Sequence, residues 1–156
     1  MEGKRVTESQ VMLAQVMNVT DANVLGNVHG GIIMKLCDEA GGMAAAKHAG
    51  RPAVTVTVDS MSFLSPINIG NIMTIKAAVS WVGRTSVETR VIVTAEDVIS
   101  GKVTHTNTAF FVYVALDDEG KPTAVPPLIC ETEEEKDLCE EGRLRQNYRL
   151  NSVRSH

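Results

Sequence analysis

The sequence has no excess of positive charge, no long apolar run, no CxxC pair and no glycine-rich phosphate loop. Its 15 Lys and Arg stand against 19 Asp and Glu, a formal net charge of −4. A general nucleic-acid binder needs a basic surface, so that class is excluded, although a local basic pocket is not. No stretch approaches the ~20 consecutive apolar residues of a membrane helix, so no membrane insertion is expected. Residues 1–10 are polar and contain no apolar core of a secretory signal, so none is expected. The cysteines, Cys37, Cys130 and Cys139, are odd in number. They read as reduced thiols of a cytoplasmic protein, with neither a disulfide framework nor a zinc site. His29, His48 and His105 stand at no metal-ligand spacing from them, and no metal is expected; His48 and His105 read as surface or ladder residues. Without a Walker A or GxGxxG motif, nucleotide hydrolysis and a Rossmann site are disfavoured. There is no internal repeat.

What is present is an ordinary globular composition, 44% hydrophobic and 22% charged over 156 residues. That suits a single domain over residues 1–156, with a core over about 8–128 and a C-terminal helix over about 131–150. Alternation predicts a first strand over about 10–18 and a loop over 18–27. From His29 to Ala49 the residues are mostly good helix formers, with Asn27 as an N-cap and Gly50 as the stop. Met34, Asp38, Gly41, Gly42 and Ala45 share one face of that helix. Two glycines inside a helix weaken it by about 1 kcal/mol each relative to Ala, and close approach by another backbone or a ligand would explain them. Four strand patterns follow. Val54, Val56 and Val58 alternate with threonines, and a parity switch predicts a β-bulge near Asp59–Ser60. Met73 to Trp81, Val87 to Ala95 and Val103 to Val114 complete an antiparallel meander. Thr132 and Glu135 fit a capping box opening the last helix, and residues 152–156 read as frayed. The order is β, long helix, then four strands. This is an α+β layout in which a curved antiparallel sheet of five to six strands covers the helix.

Two segments carry a more specific signal. One is Asp21-Ala22-Asn23-Val24-Leu25-Gly26-Asn27-Val28-His29-Gly30-Gly31, followed by Met34-Lys35-Leu36-Cys37-Asp38-Glu39-Ala40. The other runs through Val58 to Phe63, the Gly83-Arg84-Thr85-Ser86-Val87-Glu88 turn and Phe110 to Val114. Together they resemble the hotdog-fold acyl-CoA thioesterases of the brain cytosolic and small bacterial types, over roughly residues 10–145. The resemblance implies a hotdog fold and hydrolysis of fatty acyl-CoA, medium to long chain, to free acid and CoA. It implies that no cofactor is required, coenzyme A being part of substrate and product. It further implies a homo-oligomer: a dimer with a joined sheet, assembled as a trimer of dimers. Asn23 of one subunit would face Asp38 of its partner, and the active sites would lie at the subunit interface.

Thioester hydrolysis needs an activated water, donors for the carbonyl oxygen and a held acyl chain. A general base contributes about 10²–10⁴-fold. Asp38 suits that role, since a carboxylate partly buried against Gly41, Gly42 and Met34 is a stronger base than one in water. Direct attack through a mixed anhydride is the alternative. Asn23 could hold the water or the thioester; by itself it reads as a turn former. Backbone N–H groups near Gly30 and Gly31 are candidates for the oxyanion. His29 is a second candidate base, or a residue that orders the helix start. For the CoA phosphates, Arg84 with Thr85 and Ser86 is one candidate and Arg143 with Arg145 another, the latter pair reading equally as a solvated helix end. Two other functions fit parts of the pattern. They are a hotdog hydratase acting on enoyl thioesters, and a non-catalytic acyl-CoA sensor.

Overall fold

The computed structural model describes residues 1–59 and 61–154. Its main sheet has five antiparallel strands: β2 (Val11–Val16), β3 (Ala53–Asp59), β4 (Ile72–Val82), β5 (Ser86–Glu96) and β6 (Val103–Ala115). They lie in the order β2-β4-β5-β6-β3. A parallel pair, β1 (Lys4–Arg5) with β7 (Leu128–Ile129), ties the two ends of the chain together. Helix α1 (Gly30–Ala49) lies on one face of the sheet and helix α2 (Glu133–Arg154) on the other. This is the hotdog arrangement, α+β, with α1 as the wrapped helix and α2 as the C-terminal helix.

Helix α1 ends where Gly50 takes a left-handed conformation (φ 67°) and its N–H reaches Ala46 O at 2.8 Å, the usual glycine stop. Its start differs from expectation. His29, not Asn27, is the N-cap, with Nδ1 accepting from Gly31 N–H. The buried stripe of α1 is Ile33, Cys37, Ala40, Gly41, Ala44, Ala45 and His48. It is turned slightly from the expected face, which leaves Met34 exposed and Asp38 half-buried at the margin. Against this stripe pack the inward residues of the strands, among them Met73, Ile75, Val79, Val91, Phe111 and Tyr113.

Bulges decide which face several side chains take. The register of β3 on β6 shifts between Thr55 and Thr57, earlier than the expected switch at Asp59–Ser60; Ser60 lies outside the described residues. In β4 a second shift falls between Val79 and Trp81. Trp81 therefore leaves the core face on which simple alternation puts it, and meets Gly142 of α2 instead. A Cβ at Gly142 would lie 2.5 Å from Trp81 Cβ and 2.8 Å from Glu88 Oε1, so only glycine lets α2 approach this closely.

Thr132 caps α2 through Oγ1, which accepts from Glu135 N–H at 3.1 Å, while Glu135 Oε1 accepts from Glu131 N–H. The helix continues in regular form to Arg154 rather than fraying at Ser152; residues 155–156 lie outside the described residues. Among the described residues no helix is long and apolar enough to cross a membrane.

Candidate active site

Asp38 sits at the margin of the helical stripe, where side chains of two strands reach it. Its Oδ1 accepts from Thr55 Oγ1 on β3 at 2.7 Å and from Tyr113 Oη on β6 at 3.0 Å. Tyr113 Oη is also 3.0 Å from the Asp38 backbone oxygen. Oδ2 has no partner among the described residues. Burial, together with the adjacent Asp38 carboxylate, pushes the Tyr113 hydroxyl far above the usual phenol range. The same two causes push the Cys37 thiol up to about 12. Cys37 is thus an inert core thiol, since the thiolate is the nucleophilic form. Sequence reasoning missed Thr55 and Tyr113. Their strand alternation was visible, but the pairing of β3 on β6 that sets Thr55 opposite Tyr113 was not.

Asp38 lies beside a free edge. β3 is the outer strand of the sheet, paired only with β6 among the described residues. Val54, Val56 and Val58 are 45%, 53% and 41% exposed. An apolar, unpaired edge strand is a template for another strand.

The segment before α1 forms a second group. Asn23 Oδ1 accepts from Leu25 N–H at 2.9 Å and Asn27 N–H at 3.2 Å, the Asx-type arrangement, so Nδ2 is the group left to donate. His29 Nδ1 is occupied as the N-cap, accepting from Gly31 N–H at 2.9 Å. One expectation needs correction here: Gly31 N–H is not free for an oxyanion. Of the two roles expected for His29, the structure shows the ordering of the helix start. Gly30 N–H has no acceptor among the described residues. Gly30 and Asn23 border a cleft of about 320 Å³ whose apolar walls include Val28, Ile33, Phe63 and Pro66. A larger groove of about 440 Å³, lined by Met12, Lys76, Arg90 and Ile92, lies elsewhere on the sheet and contains none of the candidate residues. Within one chain no hydrogen bond joins Asn23 to Asp38 among the described residues.

The phosphate candidates separate sharply. Arg84 is exposed, with no ion pair among the described residues. Thr85 and Ser86 sit beside it in the turn before β5, their carbonyls accepting from Ala115 and Gly83. Arg143 is bound to Glu140 one turn earlier, with Nε to Oε2 at 2.9 Å. Arg145 is turned inward. It donates to both oxygens of the fully buried Glu88 at 2.7 and 3.0 Å and lies over the Phe110 ring at 3.7 Å. Arg145 is therefore a docking residue of α2, not a free cation. His48 is also corrected, from the surface to the core. It is fully buried, with Nε2 donating to Pro126 O at 2.8 Å, and its Nδ1 is unpartnered. No cluster of three or more metal-ligating side chains occurs among the described residues.

Comparison with known proteins agrees with this layout. The thioesterase superfamily model matches residues 25–102. The cytosolic acyl coenzyme A thioester hydrolase of Rattus norvegicus is 40% identical over 146 residues, covering 92% of this chain; the chain spans 38% of that relative's length. A hexameric apo acyl-CoA thioesterase has a TM-score of 0.94 at 33% identity, covering 98% of each chain. The acyl-CoA hydrolase of Staphylococcus aureus, solved with butyryl coenzyme A, coenzyme A and coenzyme A disulfide, has a TM-score of 0.87 at 33% identity, covering 97% of this chain and 95% of that one. Variants of that protein with an aspartate, an asparagine or a threonine replaced by alanine have also been solved. The identity and the shared architecture, extending over nearly the whole of this chain, make it a member of the thioesterase superfamily.

Proposed function

We propose that the chain is an acyl-CoA thioester hydrolase, converting fatty acyl-CoA of medium to long chain to free acid and CoA, with Asp38 as the base. The observation that carries this is the Asp38 carboxylate, bonded through Oδ1 by Thr55 and Tyr113 with Oδ2 open, beside an unpaired apolar edge strand. The spacing in the Staphylococcus aureus variants supports it. There the aspartate follows the asparagine by 15 positions and the threonine follows the aspartate by 17. Asn23, Asp38 and Thr55 stand in this chain at the same spacings.

In this reading two copies join along β3, and Asn23 of one copy meets Asp38 of the other. Asp38 Oδ2 takes a proton from water as the water oxygen attacks the thioester carbon. The carbonyl electrons move onto oxygen, which the Gly30 N–H and the positive end of α1 stabilise. Collapse of that oxyanion breaks the C–S bond, and the CoA sulfur leaves with the proton. Asn23 Nδ2 donates to the water or to the thioester. Attack by Asp38 itself, through a mixed anhydride, uses the same geometry; one turnover in isotope-labelled water separates the two routes by whether the label enters the carboxylate. The cleft bordered by Gly30 takes acyl carbons, and Arg84 with Thr85 and Ser86 takes CoA phosphate. Assembly as a trimer of dimers is part of this reading, supported as far as a hexamer by the hexameric neighbour. So is a cytoplasmic location, supported by the name of the rat relative.

The test is thiol release from acyl-CoA of increasing chain length by wild type and Asp38→Asn. Turnover in the variant falls by about 10²-fold or more, while acyl-CoA still binds. Undiminished turnover removes Asp38 from the mechanism. Binding without turnover in the wild type favours the sensor or the hydratase.

A further inference from the structure

We propose that Tyr113 is the positioning residue of the Asp38 carboxylate, and that Gly41 and Gly42 are there to admit its phenol. This rests on Asp38 acting on the thioester. Tyr113 is 1% exposed and points inward from β6. Its hydroxyl is the one polar atom of a ring otherwise packed in the core, and it is spent on Asp38, at 3.0 Å from Oδ1 and 3.0 Å from the backbone oxygen.

The helix is built around that contact. A Cβ at Gly41 would lie 2.6 Å from Tyr113 Oη and 2.7 Å from Thr89 Oγ1, and one at Gly42 would lie 3.4 Å from Tyr113 Cε1. Any side chain at position 41 displaces the hydroxyl. Helix-weakening glycines stand at the two positions where the ring enters, and packing alone would be served by Ala against Phe. The Thr89 hydroxyl is buried beside the phenol, so this side of the core is polar where Asp38 needs it. Thr55 reaches Oδ1 from the other strand. Two hydroxyls from two strands fix the plane of the carboxylate and occupy one oxygen, and the other is presented outward. Tyr113 stays protonated across the working range and is therefore a permanent donor. Cys37, also beside Asp38, stays a thiol.

Tyr113→Phe keeps the ring and its stacking on Phe111 and deletes only the donor. It is assayed for acyl-CoA hydrolysis beside wild type and Asp38→Asn, with thermal unfolding as the control for folding. The expected result is kcat lower by about tenfold or more with KM within about twofold. Gly41→Ala, which keeps the phenol but displaces it, lowers kcat in the same way. Wild-type kcat in Tyr113→Phe, with Asp38→Asn inactive, overturns this proposal alone. Full activity in Asp38→Asn overturns the functional reading beneath it and this proposal with it.

Discussion

Single side chains in this fold divide into those that finish the core and those that leave a group unspent. His48 belongs to both. Its Nε2 fastens α1 to the segment at Pro126, while Nδ1 is buried without a partner. Burial lowers its pKa, the hydrogen bond to Pro126 opposes that, and Lys4 and Glu8 act in opposite senses. The folded state holds His48 neutral, whereas the unfolded chain binds a proton below about pH 6.5. The stability this contributes is complete above that value and is lost as pH falls through the depressed folded value. The thermal midpoint therefore falls on acidification from neutrality toward pH 5, and falls less in His48→Gln. Equal slopes in wild type and variant would assign the acid sensitivity to other groups. Asp38, Thr55 and Tyr113 stand on the unspent side, since their bonds leave Oδ2 open.

Among the elements, α2 shows most clearly what sequence pattern conveys and what it does not. Its capping threonine and its acidic first turn were legible because they act within four residues. The role of Arg145 was not, because its partner Glu88 lies 57 positions away on β5. The same limit applies to the site. The α1 helix, its glycines and Asp38 could be picked out from local spacing and motif, whereas Thr55 and Tyr113 depend on the register of β3 on β6. Simple alternation puts Trp81 on the core face, and the β4 bulge, which alternation does not report, moves it off. The Glu88–Arg145 pair is buried on the Glu side and 23% exposed on the Arg side. Breaking this pair strips the buried carboxylate of both its guanidinium hydrogen bonds and leaves it Ser80 Oγ at 2.7 Å and Arg149 at 3.8 Å. Arg145→Ala should cost about 3 kcal/mol in chemical denaturation. Adding Glu88→Gln to it should restore part of that, because the buried group then carries no charge. A loss below about 0.5 kcal/mol would put this pair with surface salt bridges instead.

At the scale of the whole molecule, the chain reads as half of a site. Its edge strand β3 carries three exposed valines and has no neighbour on its outer side among the described residues. No hydrogen bond joins Asp38 to Asn23 among the described residues, and the cleft at Gly30 is lined by neither Asp38 nor its hydroxyl partners Thr55 and Tyr113. In the proposed assembly, a two-fold pairing along β3 would supply each Asp38 with the other copy's helix start and give the edge strand a neighbour. That is an isologous interface, the same surface used on both sides. If the reacting groups come from two subunits, two inactive variants complement each other in a mixed dimer. Asp38→Asn and Asn23→Ala are each prepared alone and then co-expressed, and thiol release is measured for all three samples. Each variant alone is inactive. In a mixed dimer one site unites the intact Asn23 with the intact Asp38, so the co-expressed protein recovers up to about a quarter of wild-type activity. Co-expressed protein as inactive as either parent would contradict a shared site and confine the chemistry to a single chain.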